Sequence, residues 1–173
     1  MQVPPEREPD RGASGPDAAE LFAALSRLPP RSSQILAYRV LEARSAAECA
    51  RLYGTEEPAI AIHAFRAARL LMTALSSPTK RVLLPSDDPA LPADEERRRA
   101  RELAQALDGS VASDDLSAVL LRARALAPEI RRIAEANAQA AAASPAHRRA
   151  EWLRRLAIAA FVVLALWLYL RQR

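Results

Sequence analysis

A single cysteine, Cys49, excludes an internal disulfide. With only two histidines, His63 and His147, far apart in sequence, no structural metal site is expected. Glycine is scarce, at 4 residues, and aromatic residues make up 5% of the chain. β-branched and aromatic runs are rare outside the C-terminus, which argues against a sheet protein. There is no Gly-rich phosphate loop, no nucleophile motif with a matching base and no metal-ligand spacing. Neither an enzyme nor a cofactor is therefore expected. The opening "MQVPPEREPDRGASGPD" lacks an apolar core, so no signal peptide is expected there.

What is abundant is alanine, leucine and arginine, all good helix formers. Half of the residues are hydrophobic (50%), and the formal charge is +4. The composition predicts an all-α protein. The charge permits nucleic-acid binding without arguing for it, because the basic residues are dispersed. Residues 1–17, rich in Pro, Gly and charge, are expected to be disordered. A helical block spans 18–75. A Pro-rich linker follows at 76–94, in which "RVLLP" could pack back on the block. Residues 95–143 are expected to form a helical hairpin or a stalk. Asp94, Glu95 and Glu96 suit the N-terminus of its first helix, and Asp108-Gly109 stops that helix. Ser113 is a candidate N-cap for the next. There Leu116, Leu120, Ala123, Leu126, Ile130, Ile133 and Ala136 describe one helical face, with a kink or short break at Pro128. "EERRRAR" at 95–101 reads as a solvated face.

The C-terminus carries "LAIAAFVVLALWLYL", Leu156 to Leu170, without a charge or a strongly polar group. As a helix it would extend about 22 Å, short of the roughly 30 Å of a bilayer core. Trp152 and Leu153 lengthen it if Arg154 and Arg155 snorkel to the interface. Trp152 at one end, and Trp167 and Tyr169 at the other, resemble interfacial aromatic belts. The expected transmembrane anchor covers 152–171, with Trp152, Leu156, Phe161, Leu164, Trp167 and Tyr169 in contact with lipid. Arg148, Arg149, Arg154 and Arg155 precede it, and only Arg171 and Arg173 follow. That bias places the N-terminal bulk in the cytoplasm, as a tail-anchored, single-pass protein of the inner membrane.

Within the first block, Pro29 and Pro30 end one short helix and introduce another, which Ser32 or Ser33 could cap. Ile35, Leu36, Val40 and Leu41 form its stripe. Ser45 and Glu48 form a capping box, S-x-x-E, ahead of "AAECARLY". Gly54 supplies a tight turn, and Thr55 could cap "EEPAIAIHAFRAARLLMTAL". Two helices joined by a short Gly turn are a helix-turn-helix signature. The elements "LPPR" (28–31), Ile35-Leu36, Arg39, Leu41-Glu42, Ser45, Ala47-Glu48, Ala50, Leu52, Gly54, Ile60, Arg66-Ala67, Arg69 and Leu71 together resemble region four of bacterial RNA polymerase sigma factors, extracytoplasmic-function type. The resemblance implies a four-helix domain whose last helix enters the DNA major groove, recognises a promoter element and docks on RNA polymerase. The short stretch before Leu28 leaves no room for a promoter-melting domain, so a complete sigma factor is not expected.

The reading helix departs from that pattern. Ile60, Ala64, Ala67 and Leu71 form the inward stripe, so Ala61, Ile62, Phe65 and Ala68 are expected to face away from it. Alanine and isoleucine cannot make bidentate hydrogen bonds to base edges. From Leu21 to Leu75, seven Arg oppose four Glu, a weak excess for phosphate contacts. The candidate DNA-contacting residues are Ser45, His63, Arg66 and Arg69. Ser45 has capping, and the arginines solvation, as plainer roles. Ile62 and Phe65 are candidates for a partner-binding patch, unless residues 76–143 fold back over them. Cys49 is read as a small buried hydrophobe.

Two functional expectations follow. One is a membrane-tethered regulator of transcription that binds DNA, RNA polymerase or both. The other is a degenerate helix-turn-helix that binds another regulatory protein, or self-associates as a membrane scaffold, without DNA.

Overall fold

The computed structural model describes residues 15–77, 81–87 and 90–143. Every regular element among them is helical. In order they are α1 (Ala18–Leu25), α2 (Pro30–Leu36) running into a π-helical turn (Ala37–Leu41), α3 (Ala46–Tyr53), α4 (Glu57–Ser76), a 3-10 turn (Pro85–Asp87), α5 (Ala93–Gly109), α6 (Asp115–Ala125) and α7 (Ala127–Ala143). The expected span at 152–171 lies outside the described residues, as does most of the stretch expected to be disordered. The chain divides into two units, Met1–Arg131 and Arg132–Arg173, and of the second only the end of α7 is described.

Side chains and turn residues set the ends of these helices. Asp17 and Glu20 close a capping box on α1, and Ser45 and Glu48 close the expected one on α3. α3 ends at Gly54, left-handed at φ 62°, a conformation that glycine adopts without steric cost. Other boundaries differ from expectation. α2 begins at Pro30, whose missing N–H costs nothing in a first turn, and the Ser33 hydroxyl donates back to the Pro30 carbonyl instead of capping. α4 begins at Glu57 with Glu56, not Thr55, at the cap position. Asp114, not Ser113, caps α6, reciprocally with Ser117. After α5 the left-handed residue is Ser110, at φ 53°. α6 ends at Ala125, so Pro128 falls in the first turn of α7, where no helical hydrogen bond is lost.

α4 is the axis of the first unit. α1, α2 and α3 pack on it, as do α5 and α6. Ile60, Ala64, Ala67 and Leu71 are buried, as the stripe predicted, and so are Ala61, Phe65 and Ala68. Five of its buried residues are alanines, and small side chains let neighbouring helices approach on several sides. By length and composition α4 alone among the described residues could cross a membrane, but half of that window is buried within the protein. Cys49, Ala50 and Ile60 form the interior of the helix-turn-helix, with Tyr38 and Tyr53 packed against them.

The later helices are tied to this block by a buried arginine, Arg39, and a half-buried one, Arg124. Arg39, 1% exposed, donates from Nη1 to the Asp108 carboxylate at 3.0 Å and to the Arg44 carbonyl. Arg124 of α6 donates to the Leu107 and Arg39 carbonyls at 2.7 and 3.0 Å. Burial, and then the nearby charge of Arg39, hold the Arg124 pKa below its usual value. Leu83 is buried and donates its N–H to the Arg27 carbonyl, so "RVLLP" does fold back on the block.

Candidate nucleic-acid interface

The capped α3, the Gly54 turn and α4 are arranged as a helix-turn-helix, so the candidate interface centres on α4. Three of the four candidate DNA contacts converge. His63, Arg66 and Arg69 of α4 line one cavity of about 420 Å³ with Arg31 and Ser32 of α2, with Pro85, Ala90 and Leu91, and with Glu96 of α5. Ser45 is not among its lining residues. Its hydroxyl accepts from the Glu48 N–H at 3.2 Å and donates to the Glu48 carboxylate at 2.9 Å, so it is engaged in capping.

Each basic group has a distinct environment. Arg66 forms a bidentate pair with Glu96, Nε to Oε1 at 2.6 Å and Nη2 to Oε2 at 2.8 Å. The Glu96 side chain is 12% exposed, against 53% for Arg66. The hydrogen bonds from Arg66 hold the Glu96 carboxyl below its usual pKa, with smaller pulls from Arg69 and His63. His63 is half-buried, and burial, followed by the charges of Arg31 and Arg66, pushes its pKa below the usual imidazole value. Its surroundings thus favour the neutral imidazole over the cation. The Arg69 guanidinium lies 5.7 Å from the centre of the Phe65 ring, a cation–π contact.

α5 covers the face of α4 that was expected to point outward. Glu96, near the start of α5, meets Arg66. Toward the other end of α5, Arg101, Ala104, Gln105 and Asp108 share a second cavity, of about 840 Å³, with Pro58 and Ala61 of α4. The two helices therefore run antiparallel. Phe65 is 3% exposed and Ala68 fully buried, so neither presents a surface to a partner while α5 is in place. Ile62 is half-buried. The reason is on α5 itself: Ala100, Leu103, Ala106 and Leu107 are buried and form an apolar stripe at helical spacing. The acidic groups Glu56 and Glu57, at the start of α4, are exposed.

Residues 18–71 match the family model for sigma-70, region 4. The match covers just under a third of the chain and takes in α1 as well as the segment from Leu28 onward. No curated protein and no solved structure matches the chain. Sigma-70 region 4 domains are transcription-related helix-turn-helix domains that bind DNA and RNA polymerase, and the segment that resembles them takes in α1, α2, α3 and α4 as far as Leu71. α5 and Glu96 lie outside it. Arg31 and Glu96, charged residues that line the basic cavity, lie outside the candidate contacts that the sequence offers. Arg31 was visible within "LPPR", and Glu96 only as a favourable acid at a helix start.

Proposed function

We propose that the protein is a membrane-tethered regulator of transcription whose region 4 segment engages DNA, RNA polymerase or both. The observation that carries this reading is the region 4 match on a segment that keeps the helix-turn-helix geometry of α3, Gly54 and α4. Arg66 and Arg69, with Arg31, supply phosphate contacts. His63 supplies a neutral donor, and Ser45 contributes by fixing the start of α3. The apolar run Leu156–Leu170, with its flanking arginines and aromatics, supports a single C-terminal span in the inner membrane, with lipid as its partner and the region 4 segment on the cytoplasmic side. The test is a gel shift of the full chain in mild detergent on duplex DNA at low salt, with and without purified RNA polymerase. Binding weakened by Arg66→Ala supports the reading, and no complex with either partner overturns it.

A second reading is favoured by the apolar character of α4 and its cover by α5. Here the fold persists as a protein-interaction module that binds another regulatory protein or a second copy of itself, without DNA. It predicts that polymerase or a copy of the chain is bound while DNA is not, and that Ile62→Glu reduces that binding.

A further inference from the structure

The basic cavity already holds an anion, and that anion belongs to the chain. Among the described residues lining the cavity are three arginines and a histidine from α2 and α4 and one carboxylate, that of Glu96, which feels the charges of Arg66, Arg69 and His63. Its two oxygens engage Arg66 as a fork, the geometry in which guanidinium also binds a phosphate. Glu96 comes from α5, outside the region 4 segment. It is the more buried partner of the pair, so α5 delivers it into the cavity.

We propose that Glu96 is a built-in competitor for phosphate. It occupies the place among Arg31, His63, Arg66 and Arg69 that a phosphate-bearing ligand would take, and holds that place closed until displaced. The exchange does not require α5 to leave α4. The packing of α5 on α4, with Phe65 and Leu103 buried, can stay while the Glu96 side chain swings out and phosphate takes up the Arg66 fork. The phosphate has two possible sources, the backbone of duplex DNA or a small free phosphate, and the DNA source rests on the proposed function above.

The experiment uses the full chain in mild detergent with two probes. One is fluorescence anisotropy on a labelled random-sequence duplex. The other is the Tm shift caused by inorganic phosphate relative to chloride at equal ionic strength. The variants are Glu96→Gln, Arg66→Ala and Arg31→Ala. Glu96→Gln keeps the size of the side chain and removes its charge. It is expected to tighten binding of the effective probe roughly two- to fivefold, the range set by losing one partly exposed ion pair. Arg66→Ala and Arg31→Ala are expected to weaken it. A response confined to inorganic phosphate upholds the competitor and removes the DNA source. DNA binding that is equal in wild type and all variants overturns the competitor while leaving DNA binding intact. Failure of both probes in every variant, with unfolding still cooperative, overturns both.

Discussion

Arg39 is a buried tie between the π-helical turn and α5. It is fully buried, yet a single guanidinium nitrogen makes both its hydrogen bonds, to Asp108 and to the Arg44 carbonyl. Nη2 has no partner among the described residues. Arg39→Ala removes these bonds and leaves a cavity, and is expected to cost about 2–4 kcal/mol in denaturant unfolding. Arg39→Met, which keeps the apolar stem, should cost less. Ser45 gives a complementary case. As a cap it should cost about 1 kcal/mol when replaced by alanine, with DNA binding changed no more than that loss of stability explains. His63 makes a pH prediction. Its folded pKa lies below its unfolded value of about 6.5. The unfolded chain therefore binds the proton first as pH falls, and this contribution to stability is full above about 6.5 and shrinks below it. Unfolding midpoints measured from pH 7.5 to 5 should fall, and His63→Gln should flatten that part of the curve. Glu96 acts lower on the scale. Its pKa is depressed, so the stability it contributes is present above the usual carboxylate value and lost as pH drops through its folded pKa.

Between elements, the decisive contact is α4 with α5. The inward stripe of α4, the Ser45–Glu48 box and the Gly54 turn could all be read from local spacing, because each depends on residues within a few positions of one another. The cover could not. Glu96 and Arg66 are thirty residues apart, and no periodicity links them. The clue was indirect: Ala61, Phe65 and Ala68 are apolar on a face that DNA would require to be polar, and an apolar face on a soluble helix calls for a partner. The helix that packs most extensively on α4 is α5, whose own stripe of Ala100, Leu103, Ala106 and Leu107 was hidden in sequence by the conspicuous "EERRRAR" charges. Because Phe65 is buried, Phe65→Ala is expected to cost about 3–5 kcal/mol. Half-buried Ile62, replaced by alanine, should cost clearly less. Chemical unfolding of the two variants side by side measures the difference, and equal losses would contradict the burial of Phe65.

For the whole molecule, the helical class was readable from composition, and the region 4 resemblance from a motif spread over 28–71 that the family match extends to Ala18. The order of helix ends was readable only to within a residue or two, since neighbouring Ser, Thr, Asp and Glu compete for each cap. The proposed architecture joins three parts of different chemistry: a helix-turn-helix, a helix that places a carboxylate on its basic residues, and an apolar C-terminal run. The central claim is that the helix-turn-helix still meets a nucleic acid through Arg31, Arg66 and Arg69. The most direct measurement is the affinity of the full chain for duplex DNA across a salt series. Three phosphate contacts predict that log affinity falls against log salt with a slope of about −2 to −3, and that Arg66→Ala reduces the steepness by about one. No binding at low salt, or a slope that Arg66→Ala leaves unchanged, would contradict the claim.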